Sequence, residues 1–305
     1  MKKNKFSVSI VLPNWNGAHL LLKNLPYVLA SAPEAEIIVA DDRSSDESIE
    51  LLKRKFPSII RVENIKQQGF AGNVNSGVAN AHGDIVVLLN TDVRPEKNFL
   101  SPLVARFLDP NVAAVGCMEK SYESDGIVLR GRGLAKWEKG FFIHKRGEVN
   151  KTDTAWVSGG SSAYRRSVWN ELGGMDTMYN PFYWEDIDLS YQILKSGYTI
   201  MFEPKSVVGH FHEEGKIKTS YTPTQIKRIV YRNQFLFLWK NISDMNIWFD
   251  HCVWMPIRLI QAIFKGDVDM LYGYSMVFSK LRDIQLSRMK ASSHWKIHDR
   301  DIFTS

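Results

Sequence analysis

The sequence predicts an α/β fold in which a mostly parallel sheet is flanked by helices and followed by a C-terminal helical extension. Short apolar runs alternate with helical patterns of about 10–15 residues over the first part of the chain, the arrangement from which parallel sheets are built. The chain has 305 residues, of which 44% are hydrophobic, so it can bury a sizeable core. From Pro223 onwards only helical patterns remain. We therefore predict a first domain over residues 1–222 and a helical region over residues 223–305.

Each strand and helix of the first part rests on a local pattern. The run Ile85–Leu89 is entirely apolar, as expected of a central strand. Ser45 or Asp46 is placed to cap the second helix, and Pro26 lies inside the first helix, where it can kink the chain. The predicted strands are 7–12, 36–40, 60–64, 85–89 and 112–118, and the predicted helices are 20–32, from the cap to about 55, 70–81 and 98–108.

Polar side chains follow four of these predicted strands. In parallel sheets, ligands bind beyond the carboxyl ends of the strands. Four consecutive strand ends with polar groups therefore predict one site that is assembled from loops. The polar segments are 14–17, 41–42, 68–75 and 90–92.

The second part of the chain is less regular. Residues 119–154 are rich in glycine and charge, and we expect a flexible excursion or a hairpin over the site. A short helix is predicted over residues 166–172. A longer helix begins after Trp184 and ends at Gly197, which is the stop residue. A last strand is predicted over residues 207–212.

Asp41 and Asp42 end the second predicted strand. They can form a turn or cap a helix within the segment 41–46. They can also accept a hydrogen bond from a nucleobase N–H or a ribose hydroxyl, for which a carboxylate at a strand end is well placed. The sequence leaves both interpretations open.

The segment Asn90-Thr91-Asp92 follows the most apolar strand. Asp92 can start a turn, or it can supply a hard oxygen ligand to Mg²⁺ or Mn²⁺. His210 can be a core histidine or can complete a Mn²⁺ site. His212 lies on the same face of the predicted strand, so the choice between the two histidines stays open.

The glycine-rich segment Gly69–Gly77 stands where a strand leads into a helix, and a helix N-terminus there favours an anionic group. The segment is not Gly-x-Gly-x-x-Gly, and the chain has no Gly-Lys-Ser/Thr of a Walker A motif. Both observations argue against a nicotinamide enzyme and against a P-loop NTPase.

Three carboxylates stand in four positions at Glu185, Asp186 and Asp188, directly after the aromatic residues Tyr183 and Trp184. Carboxylates beside bulky apolar groups are costly to desolvate, and their pKa values shift. Such a cluster is typical of a chemical site. We expect Asp188 to be a charge at the helix start, whereas Tyr183 and Trp184 can pack the loop.

Positive charge is concentrated towards the C-terminal end. Residues 216–305 hold 14 lysines and arginines against 7 acidic residues, a net charge of +7 (14 − 7), among many aromatic residues. This indicates contact with an anionic lipid surface or a nucleic acid, or else a solvated basic helix surface. The aromatic helices can lie on an anionic membrane, pack on the sheet or form a dimer contact. No run of about 18 apolar residues exists, so we expect no membrane-spanning helix. The two cysteines favour a reducing compartment.

The order of these motifs resembles that of the family 2 glycosyltransferases with the GT-A fold, a Rossmann-like α/β architecture. The resemblance is closest to the rhamnosyltransferase-like members that build bacterial surface polysaccharides. It covers residues 7–241. It rests on the segments 11–17, 39–46, 69–77, 89–93, 159–160, 165–166 and 185–189.

The resemblance implies the donor and metal residues. Asp42 is similar to the carboxylate that binds the nucleotide base. Asp92 is similar to the metal-binding Asp of the family's Asp-x-Asp motif, whose first position is Asn90 in this chain. His210 is similar to the downstream histidine that can ligate the metal. The other implied nucleotide-sugar-binding residues are Pro13, Asn14, Gly69, Asn75 and Thr91.

The resemblance also implies the catalytic residues. Asp186 is similar to the catalytic base, and Glu185 would help to orient this base or the acceptor. For a sugar acceptor, Trp184 and Tyr183 are the predicted contacts, since aromatic rings can stack on sugar faces; packing of the loop is the alternative.

The implied reaction is an inverting, metal-dependent transfer of a sugar from a UDP- or dTDP-linked donor to a hydroxyl group of a glycan or lipid-linked acceptor. The implied cofactor is Mg²⁺ or Mn²⁺. The implied location is the cytoplasmic face of the cell membrane, with peripheral membrane contact by the C-terminal region and no nucleic-acid partner. A homo-oligomer is compatible with the sequence.

Two other functions fit part of the pattern. A sugar nucleotidyltransferase has a similar sheet but needs a glycine-rich loop with Arg or Lys after the first strand, and the segment 13–18 lacks such a loop. A non-catalytic nucleotide-sugar-binding membrane scaffold would not need Asp42, Asp92 and Asp186 together.

Overall fold

The computed structural model describes residues 6–123, 125–211 and 220–303. The amino-terminal part alternates strands with helices, as the sequence predicts. Its elements are β1 (Val8–Asn14), α1 (Ala18–Ser31), β2 (Glu36–Asp41), α2 (Ser48–Lys55), β3 (Ile60–Glu63), α3 (Gly69–Ala79) and β4 (Ile85–Leu89).

Asp46 has the capping role predicted at this position. Its Oδ1 accepts a hydrogen bond from the N–H of Ser48, the first residue of α2, at 3.0 Å. Its Oδ2 accepts one from the N–H of Ala18, the first residue of α1, also at 3.0 Å. The first N–H groups of a helix have no partner within the helix, so one side chain fixes the starts of two helices.

Short strands and hairpins make up the middle of the chain. Residues 119–154 contain antiparallel hairpins, which confirms the hairpin alternative for this range. The elements are β5 (Val93–Pro95), α4 (Leu100–Ala105), β6 (Val112–Glu123), β7 (Gly126–Arg130), β8 (Gly133–Glu138), β9 (Phe141–Arg146), β10 (Ser161–Arg165) and α5 (Arg166–Leu172).

One further strand and a series of helices complete the chain. The elements are α6 (Glu185–Lys195), β11 (Thr199–His210), α7 (Pro223–Asn241), α8 (Met245–Phe264), α9 (Val268–Val277), α10 (Leu281–Ser292) and α11 (Asp299–Phe303). α6 stops before Gly197, whose φ of 85° is left-handed, as predicted. β11 begins well before the predicted strand, and His212 lies outside the described residues.

In the described residues, nine strands form one sheet in the order β3-β2-β1-β4-β10-β6-β11-β5, with β7 paired to β6, and β8 and β9 form a separate two-stranded sheet. β3, β2, β1 and β4 are mutually parallel, and β6 is parallel to β11. β10 lies between these two groups and is antiparallel to both of its neighbours. Ser161 and Ser162 give β10 little strand propensity, so the sequence did not predict it. Because Ser161 pairs with Leu89, the segment before β10 reaches the carboxyl end of β4.

The core lies on both faces of the sheet. Every residue of β4 is buried, and its side chains alternate between a cluster shared with α1 and α4 and one shared with α3, α5 and α6. Burying one such aliphatic side chain contributes roughly 1.5–3 kcal/mol.

A third core cluster joins the C-terminal helices to the sheet layer. Phe235 and Phe237 of α7 are fully buried, and their rings contact Phe141 and Phe142 of β9 at centroid distances of 5.7 and 4.9 Å. The aromatic run of α7 is therefore packed on the protein, which was one of the alternatives for the C-terminal region. None of the described helices has the length and apolar character needed to cross a bilayer.

Candidate active site

Polar groups at the ends of β1 and β2 hold one another in place. The amide nitrogen of Asn14 donates hydrogen bonds to Asp41 Oδ1 at 2.7 Å and Ser44 Oγ at 3.2 Å. Asp41 Oδ2 accepts one from the N–H of Ser44 at 2.8 Å. Asp41 thus has the turn-forming role that was one of its two alternatives. Pro13, one residue before Asn14, is partly buried at the same strand end.

Asp42 is turned towards the start of α3. Its carboxylate accepts hydrogen bonds from the N–H groups of Gln68 at 2.7 Å and Gly69 at 3.0 Å. Burial raises the pKa of Asp42, which is only 6% exposed. Gly69 has a φ of 69°, and a Cβ there would lie 2.6 Å from the side chain of Asn180. A side chain at Gly69 would therefore disturb the loop that Asp42 holds.

Asn75 does not face this pocket through its amide group. Its Nδ2 donates to the carbonyl of Met175 at 2.7 Å, and its Oδ1 accepts from the N–H of Met175 at 3.0 Å. Both ends of the amide are thus engaged by one backbone unit. Asn75, predicted to bind the donor, ties α3 to the segment before the acidic cluster.

The loop after β4 is fixed by its backbone. The N–H of Asn90 donates to the carbonyl of Gly160 at 2.9 Å, and a Cβ on Gly160 would lie 2.6 Å from the Asn90 amide. The carbonyl of Thr91 accepts a hydrogen bond from Asn24 at 2.6 Å. These contacts present the Asn90-Thr91-Asp92 segment at the strand end, where the sequence places it.

Asp92 and His210 are brought together by the pairing of β5 with β11. Asp92 Oδ1 lies 3.3 Å from His210 Nε2, and the side chains are 9% and 6% exposed. Although burial alone would lower its pKa, the hydrogen bonds with Asp92 and Glu119 raise the pKa of His210 to about 10. His210 therefore belongs to a polar cluster and is not a histidine of an apolar core.

Glu119 of β6 stands behind His210, and no pattern in the sequence indicated its role. Its Oε2 lies 3.3 Å from His210 Nδ1, and its Oε1 accepts a hydrogen bond from Ser161 Oγ at 2.5 Å. A carboxylate on the second ring nitrogen fixes the orientation and tautomer of a metal-ligating histidine. Glu119 could not be found from the sequence because the pairing of β6, β10 and β11 assembles this contact.

The Asp92–His210 pair fits a divalent cation. Neighbouring ligands on an octahedral ion at about 2.1 Å stand about 3 Å apart, close to the observed 3.3 Å. Among the described residues, no group of three or more His, Cys, Asp or Glu side chains could hold a metal ion. Two protein ligands would therefore leave the remaining positions to ligand oxygens and water. Asn90 contributes no charge at the first motif position.

The acidic cluster begins after two strained residues. Tyr183 and Trp184 have φ values of 69° and 79°, a conformation that is costly for bulky side chains. Asp186, which is partly exposed, accepts hydrogen bonds from the N–H groups of Gly159 at 3.0 Å and Ile187 at 2.8 Å. Glu185 is 4% exposed.

Glu185 and Asp186 differ in their surroundings. Burial, reinforced by the negative charge of Asp186, raises the pKa of Glu185 well above its ordinary range. Burial also raises the pKa of Asp186, against the hydrogen bonds from Gly159 and Ile187 that lower it. Among the described residues, Glu185 Oε2 has no hydrogen-bond partner. The pair is therefore arranged so that Glu185 takes up a proton more readily than Asp186.

Asp188 is more than the helix-start charge predicted for it. Its Oδ2 forms an ion pair with Lys240 of α7 at 2.6 Å, and its Oδ1 accepts a hydrogen bond from the hydroxyl of Tyr179 at 2.9 Å. Lys240 also pairs with Asp176 at 2.8 Å. This buried network fastens α7 to the loop before α6.

Two further residues of α7 hold the strained loop from behind. The amide nitrogen of Asn233 donates to the carbonyls of Tyr179 at 2.9 Å, Phe182 at 3.0 Å and Tyr183 at 2.7 Å. Arg232 donates to the carbonyl of Asn180 at 2.5 Å. The sequence placed both residues in a basic aromatic run and did not identify this role.

Trp184 and Tyr183 have different surroundings, although both were predicted to contact an acceptor. Trp184 is 3% exposed and packs against Phe142 and Phe237 at centroid distances of 6.2 and 5.3 Å. The packing alternative therefore applies to Trp184. Tyr183 is 42% exposed and lies three residues before Asp186 in the chain.

The sequence profile described as glycosyl transferase family 2 matches residues 9–173, more than half of the chain. The protein belongs to this family. The matched range contains Asp42, Asp92 and Glu119, whereas Asp186 and His210 lie beyond it.

Curated relatives of this family 2 member come from bacteria and animals. The O-antigen chain rhamnosyltransferase RfbN of Salmonella typhimurium is 26% identical over 229 residues, covering 72% of this chain and 68% of RfbN. Polypeptide N-acetylgalactosaminyltransferase 8 of Drosophila melanogaster is 27% identical over 267 residues, covering 80% of this chain and 44% of the relative. The chain thus spans less than half of the animal enzyme. The likeness to RfbN supports the rhamnosyltransferase-like subgroup.

Solved structures confirm the GT-A fold predicted from the sequence. GalNAc-T7, crystallised with UDP, GalNAc and Mn²⁺, superimposes with a TM-score of 0.58 at 19% identity, over 78% of this chain and 48% of that chain. The mannosyltransferase PcManGT from Pyrobaculum calidifontis, in complex with GDP-Man and Mn²⁺, gives a TM-score of 0.57 at 17% identity, over 94% and 86%. At such identities the likeness concerns the fold of this family 2 member.

Proposed function

We propose that the protein is an inverting, metal-dependent glycosyltransferase that moves a sugar from a nucleoside diphosphate to a hydroxyl group of a glycan or lipid-linked acceptor. The observation that carries this proposal is that the adjacent residues Gly159 and Gly160 form hydrogen bonds with both Asp186 and Asn90. The N–H of Gly159 holds the Asp186 carboxylate, and the carbonyl of Gly160 holds the backbone of Asn90. Two adjacent residues thus connect the candidate base to the candidate metal and donor loop.

The donor lies along the carboxyl ends of β1, β2 and β4. Asp42 and Asn14 supply buried polar groups there, and α3 starts beside them. Asn14 Oδ1 is buried and meets no donor within the described part of the chain, so it is available to a nucleotide N–H or hydroxyl. The UDP and GDP-Man bound to the two solved structures support a nucleoside diphosphate, and we propose a UDP- or dTDP-linked sugar here.

Asp92 and His210 would hold a divalent cation, with Glu119 fixing the histidine ring. When bound, such a cation neutralises charge on the departing diphosphate. The Mn²⁺ in both solved structures supports Mn²⁺ or Mg²⁺. Because Asn90 is neutral, Asp92 supplies the motif's negative charge in this chain.

Asp186 takes the proton of the attacking acceptor hydroxyl. A single displacement inverts the sugar carbon and needs one base, which contributes roughly 10²–10⁴-fold in rate. Asp186 is the partly exposed member of the pair and accepts two backbone hydrogen bonds that favour its charged form, whereas burial raises the pKa of Glu185. The backbone N–H groups of Gly159 and Ile187 orient the base.

The acceptor approaches from the side of Tyr183. The Phe182 ring contacts both Tyr183 and Tyr221, at centroid distances of 4.9 and 4.8 Å. Tyr221 lines a cleft of about 750 Å³ whose other walls include Val230 and Tyr231. An apolar cleft one ring away from Tyr183 suits an acceptor with an apolar part, and it supports a location at the inner face of the cell membrane.

A donor screen tests this function. UDP-, dTDP- and GDP-linked sugars are titrated into the protein by calorimetry with Mn²⁺ or with EDTA, and slow donor hydrolysis is followed. We expect one nucleotide class to bind, with Mn²⁺ strengthening the binding, and to be hydrolysed slowly without an acceptor. The nucleoside monophosphates serve as controls. If none of the diphosphate sugars bind, the proposal is wrong.

A further inference from the structure

Large apolar side chains on the outward face of α8 are exposed to solvent. Six of them form a surface that we call the α8 ridge, and their exposed fractions run from 38% at Ile257 to 86% at Phe264. With 3.6 residues per turn, these positions fall within a stripe about 120° wide. The ridge consists of Met245, Phe249, Val253, Ile257, Ile260 and Phe264.

The charged residues of α8 point away from the ridge. Asp250 accepts hydrogen bonds from Trp137 Nε1 at 2.7 Å and from the N–H of Gly140 at 2.9 Å, both in or beside the β8–β9 hairpin. The guanidinium of Arg258 lies 5.7 Å from the ring centre of Phe141. A helix with its charges inward and its apolar residues outward is the reverse of an ordinary surface helix.

Positive charge lines the ridge. Lys139, which is exposed, has its Nζ 5.8 Å from the ring centre of Trp254 on α8. Lys265 is exposed directly after the last residue of the helix. An apolar helix face bordered by lysines is typical of helices that lie in the plane of an anionic membrane surface.

The C-terminal end of the ridge leads to the acceptor cleft. Phe264 stands three residues before Asp267, whose carboxylate accepts hydrogen bonds from Tyr231 Oη at 2.7 Å and Lys227 Nζ at 2.8 Å. Tyr231 and Lys227 both line the cleft that extends to Tyr221. The ridge therefore ends beside residues that line the cleft, and the cleft reaches Tyr221, which contacts the Phe182 ring next to Tyr183.

We infer that the α8 ridge lies on the surface of an anionic lipid bilayer and that the adjoining cleft receives an acceptor presented from that bilayer. This inference rests on the proposed glycosyl transfer and specifies its partner. A second copy of the chain is the other conceivable occupant. In a two-fold pair, however, each ridge would face itself and would bring equal rims of Lys139 and Lys265 together. Anionic headgroups complement these lysines.

Cys252 offers a native probe of the ridge. It is exposed on α8 between Phe249 and Val253, whereas Cys117 is buried. An environment-sensitive fluorophore on Cys252 should shift to the blue and brighten with vesicles of phosphatidylethanolamine and phosphatidylglycerol. As a control, Ser45→Cys combined with Cys252→Ser moves the same label to an exposed loop position, where it should not respond.

Vesicle flotation of the full chain then compares matched variants. Phe249→Ser with Phe264→Ser should weaken binding at least about tenfold, since two large apolar side chains leave the bilayer. Leu22→Ser with Leu108→Ser, at exposed positions outside α8, should leave binding unchanged. Lys139→Glu with Lys265→Glu should lose roughly fivefold per lysine on anionic vesicles.

The outcomes separate the occupants. Unchanged vesicle binding in the ridge variant, or absence of vesicle binding in the parent chain, overturns the inference. Light scattering can also show that the parent chain is a dimer and that the ridge variant is a monomer. If, in addition, the parent does not bind vesicles, the ridge is a contact between two copies, and the inference is overturned. Donor calorimetry on the same variants keeps the proposals apart. The ridge variant should bind donor normally, and failure of the parent to bind any donor would count against the transferase instead.

Discussion

The donor side and the acceptor side of the active site use buried polar groups differently. On the donor side, Asn14, Asp41 and Asn73 bond to neighbouring loops and strand ends, and Asn73 donates to the carbonyl of Ala40 at 2.9 Å. On the acceptor side, buried ion pairs join α6 and the loop before it to the C-terminal helices. Lys195 and Asp299 are both 0% exposed and lie 2.7 Å apart. The donor side is thus a preformed sheet edge, whereas the acceptor side is a loop held from behind by the C-terminal helices.

This difference indicates that the C-terminal helices position the loop before Asp186, the proposed base, and do not merely extend the fold. The loop from Tyr179 to Trp184 is strained and gains its shape from Asn233, Arg232 and Lys240. If the two sides are independent, variants on the acceptor side should alter the free energy of unfolding and the rate of transfer but leave the donor affinity unchanged. The following variants test that separation.

The largest expected effect comes from Lys240→Met. The change leaves Asp176 and Asp188 buried without their cation and should cost about 3–5 kcal/mol in the free energy of unfolding. Lys227→Met, which removes the exposed pair with Asp267, should leave the free energy of unfolding nearly unchanged. Urea unfolding measures both. Equal costs for the two variants would show that the buried network does not fasten α7 to the loop.

The next effect is on the metal. Glu119→Gln should weaken Mn²⁺ binding about 10- to 100-fold, because the neutral side chain fixes His210 less firmly. Electron paramagnetic resonance of Mn²⁺ in the presence of UDP measures this affinity without turnover. Glu123→Gln, on the same strand but paired with Arg130, is the control and should leave the affinity intact. Equal affinity in both variants would remove Glu119 from the site.

A smaller effect is expected for Asn233→Ala. Three carbonyls of the strained loop lose a hydrogen-bond donor, and each bond contributes about 0.5–1.5 kcal/mol to the free energy of unfolding. The loop should then hold Asp186, the proposed base, in a less favourable position. We expect kcat to fall about tenfold while the donor affinity is retained. Gln234→Ala, which removes one bond to the carbonyl of Phe142, should change kcat little. A loss confined to donor binding would contradict the separation of the two sides.

The smallest effect is expected in the pH dependence of the transfer rate. The base works only when deprotonated, and the pKa of Asp186 is raised above the ordinary 3.8. The rate should therefore fall as the pH decreases through that raised value, at a higher pH than for an ordinary aspartate. Initial rates at saturating donor and acceptor give the profile. A rate that stays constant down to pH 4 would be inconsistent with this role.

The sequence predicted the donor side well because its signals are local. The apolar runs of β1, β2 and β4 and the polar residues that follow them are adjacent in the chain, so strand periodicity places them at one edge. Asp42, Asp92 and His210 lie where this pattern put them, and Asp92 and His210 are in contact. The sequence did not reveal that the backbone of Met175 forms hydrogen bonds with both the oxygen and the nitrogen of the Asn75 side-chain amide, because nothing local indicates this contact.

The contacts of Glu119 and Lys240 were not predicted, because they join residues that are distant in sequence. Glu119 meets His210 only after β6, β10 and β11 have paired, and Lys240 meets Asp188 only after α7 has packed. The aromatic and basic composition of the C-terminal region left open whether its helices are packed or lie on a membrane; α7 is buried, and the outward apolar face belongs to α8. Charge and hydrophobicity alone do not tell which face of a helix is buried.

A paired comparison of Asp92→Asn and Asp186→Asn tests most directly whether the two sides have separate tasks. Donor affinity is measured by calorimetry with Mn²⁺, and transfer is measured with the best acceptor found. We expect Asp92→Asn to lose the Mn²⁺-dependent part of donor binding. Asp186→Asn should bind donor as the parent does and transfer roughly 10²–10⁴-fold more slowly. Transfer at the parental rate in Asp186→Asn, or unchanged Mn²⁺ dependence in Asp92→Asn, would contradict the division between a metal-bound donor and a base on the acceptor loop.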